Sequence, residues 1–413
     1  MVRRTSDAGA TVLLVRRASA VVTVSVEGFH RRELMLVVVG TFVFYAGFGM
    51  SFPVIPRYVG EVLAGGDVAV GVAFGTYAVA AVLVRPFVGA FGDRWGRRPL
   101  FVSGALITSA GMFAHVAADT LLLLLAVRLV VGIGVAAVMV AVTTMAIDLA
   151  PITRRGEAAS YVMMALQLGL GFGPFAGELF VALSYDAVWV AAGLASAGVA
   201  VVPFLLAAEP PRRSNEPMTV TSALRALTVG VRPGIVLAFG TVGFIGFLAF
   251  VPLFGAEIGL GMTAPAFLAA SGTVGVVRLL FARVPDKLGP IAGSTLSLSL
   301  IAVGMLGMSA WQTPLGLYLF VLPMAAGAAL LFPSLLLAAL TNVEESERSR
   351  VVAGFTLYID LVAALGPMTL GLVASVSTYA TGFAVAGGTA IFALILVHHW
   401  LAPQVRLAEP GNR

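Results

Sequence analysis

Few side chains in this sequence can do chemistry, and most of those stand where water is scarce. Asp360, Arg128, Glu178 and Gln167 all lie inside long apolar runs. Taking a carboxylate out of water disfavours its charged form, which suits a group that gains and loses a proton near neutral pH. A guanidinium deep in an apolar run costs at least about 2.5 kcal/mol on insertion scales and is kept there with a partner or water. Charge also concentrates in Gly89-Ala90-Phe91-Gly92-Asp93-Arg94-Trp95-Gly96-Arg97-Arg98, between two apolar runs. An echo returns at Arg283-Val284-Pro285-Asp286-Lys287-Leu288-Gly289. The absence of Cys excludes disulfides, zinc–thiolate sites and a Cys nucleophile. The four His include one adjacent pair, His398 and His399, and no metal-ligand spacing. No metal and no cofactor are therefore expected. No G-x-x-x-x-G-K-[ST] run appears, so ATP is not the driver. No nucleophile–base pair converges within the apolar runs, and the chain is not expected to be an enzyme.

The elements that position these groups must be membrane spans. The chain is 59% hydrophobic and 11% charged over 413 residues, with mean hydropathy +1.01. A soluble domain is nearer half apolar and a quarter charged. Apolar runs fall at 34–58, 68–91, 98–118, 120–148, 157–182 and 187–208, then at 234–257, 264–284, 288–310, 313–341, 350–376 and 379–402. Each can cross a core about 30 Å thick as a helix. The predicted fold is thus an all-α membrane protein of twelve spans in two six-helix halves. Its expected parts are a tail over 1–32, a first half over 33–208, a linker over 209–233, a second half over 234–402 and a tail over 403–413. The linker is Pro-rich and charged, with a possible surface helix at Thr219–Leu227.

The net charge of +5 is a topology signal, not a nucleic-acid footprint. Of 25 basic residues, 21 fall in segments on one side of the membrane; Arg57 lies on the other side, and Arg85, Arg128 and Arg278 lie in or at the ends of spans. By the positive-inside rule both termini are cytoplasmic; the expected location is the plasma membrane. The halves are related, because Arg85, Asp93, Gly96, Gln167 and Gly173-Pro174 stand 193 residues before Arg278, Asp286, Gly289, Asp360 and Gly366-Pro367. Parallel repeats of this kind enclose a central path with a site near the midplane.

Three motifs now carry a resemblance. Gly89, Asp93, Arg94, Gly96, Arg97 and Arg98 match G-x-x-x-D-R-x-G-R-R. Arg128, Gly132, Gly134 and Ala136 match R-x-x-x-G-x-G-x-A in span 4. Gly169, Gly173, Pro174 and Gly177 match G-x-x-x-G-P-x-x-G in span 5. From about residue 30 to 403 the chain resembles a twelve-helix member of the major facilitator superfamily. The span 5 motif is similar to that of drug–proton antiporters, although Glu178 stands where a second Gly is usual. The resemblance implies a secondary transporter working by alternating access, a small-molecule substrate, protons as coupling ion (with Na+ not excluded), and a lipid bilayer with no further partner for a functional monomer. Proton-coupled efflux of an amphipathic or drug-like compound is the leading expectation. The alternatives are a proton symporter for a sugar or organic acid, and a non-transporting sensor with a transporter fold.

The resemblance also implies a latch closing the cytoplasmic side, with Asp93 and Arg97 at its centre and Asp148 as a second acceptor for Arg97. The other reading is that Arg94, Arg97 and Arg98 only set topology. Gly89, Gly92 and Gly96 are expected to give close packing and a tight turn. Arg128 either faces the central path or tethers carbonyls of a neighbouring helix. Asp360, roughly 15 Å into span 11, either couples protons or is a structural carboxyl. Glu178 either accepts protons from outside or reaches the interface. Arg85 and Arg278 are expected to snorkel to phosphates or brace the loops. Gly173-Pro174 and Gly366-Pro367 are expected to make kinks or close crossings.

Overall fold

The computed structural model of the protein describes residues 31–151, 154–206, 231–281, 284–341, 343 and 348–403. The tail before residue 31, the linker up to residue 230 with its expected surface helix, and residues after 403 lie outside them. The described residues form twelve membrane-scale helices and no strand. Helix α1 is Arg31–Glu61, in two pieces that meet at Met50. The others are α2 Asp67–Trp95, α3 Arg97–Ala114, α4 Leu121–Asp148, α5 Arg155–Val181, α6 Tyr185–Val199, α7 Val231–Glu257, α8 Ala264–Leu280, α9 Val284–Ala310, α10 Pro314–Leu340, α11 Arg348–Ser375 and α12 Tyr379–Leu396. Eleven spans are long and apolar enough to cross a bilayer, α6 by continuing through a further turn to Leu205; α8, with 17 residues, is shorter. At 1.5 Å per residue it covers about 26 Å.

Successive helices run in opposite directions. One end of the bundle, the loop end, carries Gly89–Arg98, and the other is the far end. Four helices that start at the far end carry their own caps. Thr120, Ser184, Thr313 and Thr378 accept from the amides of Leu123, Ala187, Gly316 and Thr381 at 3.3, 3.0, 3.1 and 3.1 Å. Each hydroxyl satisfies an amide that has no partner within its helix. Thr120 and Thr313 are again 193 residues apart.

The halves also repeat in their packing. A Cβ on Gly134 of α4 would come within 2.6 Å of the Gly104 carbonyl on α3. The matching pair is Gly327 on α10 against the Ser297 carbonyl on α9. After its second helix each half turns on a glycine with positive φ, 102° at Gly96 between α2 and α3 and 76° at Gly289, which kinks α9 near its start. With ψ near 164° and 172°, both sit in a region that is essentially Gly-only. Inside each half, Phe44, Phe101, Trp189, Phe254 and Phe383 are fully buried, whereas Leu83, Leu122, Leu183 and Leu279 face outward. That outward apolar surface is what a bilayer requires.

Candidate functional site

The two halves meet along two seams, α2 against α11 and α5 against α8, with α1 also touching α7. Small residues bring the backbones into contact. Added Cβ atoms on Gly71 and Gly75 would collide with the carbonyls of Pro367 and Ala364, one on Gly371 with that of Asp67, and one on Gly171 with Ser271. Membrane helices approach this closely only where side chains are absent or small.

An ion pair crosses the first seam. Arg85 Nη1 of α2 stands 2.5 Å from Asp360 Oδ2 of α11, with the side chains 20% and 25% exposed. The contacts at Gly71–Pro367 and Gly75–Ala364 fix the antiparallel register. By that register Arg85 faces a residue about two turns from Asp360. Side chains on a helix lean toward their own N-terminus. In an antiparallel pair the two leans point at each other, each by about one turn, and the charges meet. Arg85 therefore braces no loop and reaches no lipid phosphate here; it is Asp360's partner from the other half. Tyr45 and Tyr77 lie within electrostatic reach of Asp360. The Tyr45 hydroxyl contacts Met139 Sδ of α4 at 3.4 Å. Phe48 packs on Tyr77 with centroids 5.0 Å apart.

Arg128 of α4 is fully buried. Its Nε and Nη2 donate to the carbonyls of Ala73 and Phe74 on α2, both at 3.0 Å, and its guanidinium lies 4.9 Å from the Tyr77 ring centre. These are the contacts of a tether between neighbouring helices, with Nη1 making no hydrogen bond among the described residues. Gly132 lets the tether close, since a Cβ there would collide with the Tyr77 carbonyl. Gln167, the counterpart of Asp360, is half-buried on α5.

At the loop end the charged motif divides. Arg97 Nε is 3.9 Å from Asp148 Oδ2 at the end of α4. Arg98 Nη2 donates to the Leu206 carbonyl at 2.8 Å, and Arg94 is exposed over the Trp95 ring at 5.5 Å. The side chains of Asp93 and Asp286 lie outside the described residues. Gly92 is packed, because a Cβ there would be 2.8 Å from Leu100. Gly89 is not: a Cβ would meet nothing within 4 Å. The expectation of close packing at Gly89 is corrected by that open space.

The α5 motif does what its small residues permit. Added Cβ atoms on Gly169, Gly173 and Gly177 would strike the backbone of α1 at Phe42, Ala46 and Met50. The second-half copy differs. A Cβ on Gly366 would meet only Val362 of its own helix at 3.3 Å. The position matching Gly177 is Leu370, which packs onto Gly246 of α7. The small residue has moved to the partner helix, so Gly366-Pro367 makes no close crossing through its glycine; the Pro367 carbonyl instead receives Gly71. Pro174 and Pro367 both sit inside unbroken helices.

At the far end Glu178 is 5% exposed. It accepts from Arg57 Nη2 at 3.0 Å, from the Thr263 amide at 3.0 Å and hydroxyl at 2.6 Å, and from the Ala264 amide at 3.0 Å. The Tyr379 hydroxyl donates to Asp67 across the halves at 2.5 Å. Sequence reading missed Tyr77, Thr263 and Asp67, and misplaced Arg85. Their only signal was polarity near a span.

Two six-helix halves joined by backbone-close seams, with an ion pair between them inside the membrane, define a secondary transporter of the two-repeat type. The sequence profile of the Major Facilitator Superfamily matches residues 37–367. The chain belongs to that family. It is 26% identical over 383 residues to the uncharacterized MFS-type transporter YhhS of Escherichia coli (strain K12), covering 88% of this chain and 91% of that one. Its fold matches a bacterial homologue of the human lysosomal transporter Spinster in an inward-facing and occupied conformation, with TM-score 0.74, 15% identity and coverage of 93% and 98%. It also matches the nucleoside transporter NupG with TM-score 0.74, 13% identity and coverage of 89% and 99%.

Proposed function

We propose that this transporter is proton-coupled and exports amphipathic, drug-like molecules, working as a monomer in the plasma membrane with both termini in the cytoplasm. The observation that carries the reading is the Arg85–Asp360 pair between the halves. Separating two charged partners in a low-dielectric seam leaves each uncompensated, which is costly. Protonation of Asp360 removes one charge and frees Arg85 to find other acceptors. The halves then rock at lower cost, so proton binding and the conformational change share one free energy. Protons are favoured over Na+ because a single carboxylate already matched by an arginine is a poor cation cage.

The surroundings of the pair favour an amphipathic cargo. Tyr77 and Met139 are half-buried there, with Tyr45 and Phe48 packed behind them; these are aromatic and thioether surroundings with few charges, and Met adapts to varied shapes. The span 5 motif points the same way. Uptake of an organic acid would want a free guanidinium, and Arg128 is already committed to α2 carbonyls.

The test is made in proteoliposomes holding the purified protein and a pH dye, under an imposed proton gradient. A panel of lipophilic cations, sugars and organic acids is screened with Asp360→Asn alongside. The expected result is that a lipophilic compound drives proton movement opposite to its own, and that Asp360→Asn abolishes it. Equal coupling in the variant would remove Asp360 from the proton path. Movement of protons and a sugar or acid in the same direction would replace export with symport. A response to a Na+ gradient alone would replace the coupling ion.

A further inference from the structure

We propose that Glu178 is the positioning residue that holds the far end shut, by lending α8 the N-terminal cap that α8 lacks. Four far-end helices cap themselves with Thr or Ser. Helix α8 does not, because Thr263 at its N-cap makes no side-chain cap. Its hydroxyl is turned to Glu178 instead. The carboxylate arrives from α5, in the other half, and takes the Thr263 and Ala264 amides itself. First-turn amides have no partner within their helix and carry the positive end of its dipole. A carboxylate is the acceptor such a terminus binds best.

Arg57 completes the site from α1, the same half as Glu178, at 3.0 Å. The pair stays together when the halves separate, while the three donors from Thr263 and Ala264 leave. The latch is thus asymmetric: its acceptor is prepared on one half and its donors on the other. Opening this end strips a nearly buried carboxylate of three of its four donors and uncaps α8. Each loss favours the closed form. Below the latch, Gly171 against Ser271 and Gly275 against Leu168 continue the same seam, so one contact at the rim controls a whole helix pair. The Asp67–Tyr379 bond stands at the matching place on the α2 side.

The chain has no Cys, so pairs of spin labels report each end without background. Leu183→Cys with Met262→Cys reads the far end, at residues 77% and 41% exposed. Trp95→Cys with Phe281→Cys reads the loop end. Distances are measured by electron–electron resonance on the full chain in nanodiscs. The wild type is expected to give a far-end distribution dominated by the short distance. Glu178→Ala is expected to raise the long-distance fraction at least about tenfold, a shift of about 1.4 kcal/mol, with Glu178→Gln between the two. Thr263→Val, which removes only the hydroxyl, and Arg57→Gln are expected to shift it less. A rocking motion requires the loop-end distance to shorten as the far end lengthens. An unchanged far-end distribution in folded Glu178→Gln and Glu178→Ala would overturn the proposal. So would lengthening at both ends, since that is general loosening. If Glu178→Ala does not fold, Glu178→Gln and Thr263→Val give the same reading.

Discussion

Replacing Arg85 by Gln, Asp360 by Asn, and both together isolates the free energy of the ion pair between the halves. Two unit charges with centres about 4 Å apart attract by about 4 kcal/mol at an effective dielectric of 20. Both side chains are a fifth to a quarter exposed, so water and desolvation reduce that figure. Either single variant leaves the other charge stranded in the seam, and a cost of about 2–3 kcal/mol is expected. The double variant strands nothing and should cost only about 1 kcal/mol. The coupling energy from the cycle is then about 3–5 kcal/mol in magnitude, at or above the upper end of the range of directly interacting neighbours. Equilibrium unfolding in bicelles measures all four proteins. A coupling below about 0.5 kcal/mol would refute the claim that the pair ties the halves, whatever the transport assay shows.

Three further outcomes follow from particular contacts. Gly132→Ala must push α4 away from the Tyr77 carbonyl and is expected to cost about 1–3 kcal/mol, whereas Gly89→Ala should stay within about 0.5 kcal/mol; unfolding of the two variants side by side checks this. Gly96→Ala and Gly289→Ala should each cost about 1–3 kcal/mol, because both glycines hold the same Gly-only backbone geometry; a large effect in one half alone, read by thermal unfolding, would break the repeat argument. Arg128→Lys keeps the charge but loses the planar fork that reaches two carbonyls and stacks on Tyr77. A loss of about 1–3 kcal/mol is expected, measured by the same unfolding assay in bicelles.

Much of the architecture was legible because a bilayer leaves so few choices. Backbone amides without water must close on themselves, so apolar runs of the right length become helices. The offset of 193 paired Gly289 with Gly96, which was read as part of a tight turn, and the structure gives both a positive φ. The Arg97–Asp148 approach was legible for a related reason, both residues standing at helix ends on one side. At Gly366-Pro367 the close crossing was legible but not how it is made: Gly71 of α2 approaches the Pro367 carbonyl and Gly366 takes no part, because repetition of a motif does not repeat its contacts. Leu370 replaces the third small residue of that motif, and the space it takes is returned by Gly246 on α7.

The sequence alone determined the class, the number of spans, the relation of the halves and the few polar residues within the membrane. Those follow from composition and spacing, which act locally. Only the tertiary structure decided partners. Arg85 and Asp360 are 275 residues apart in the chain and meet because antiparallel helices tilt their side chains toward each other. Glu178 looked like a departure from a glycine motif, and packing made it the cap of a helix in the other half. A polar side chain in a span announces that it needs a partner, but which helix supplies one is fixed by register and crossing, and those belong to the assembled bundle.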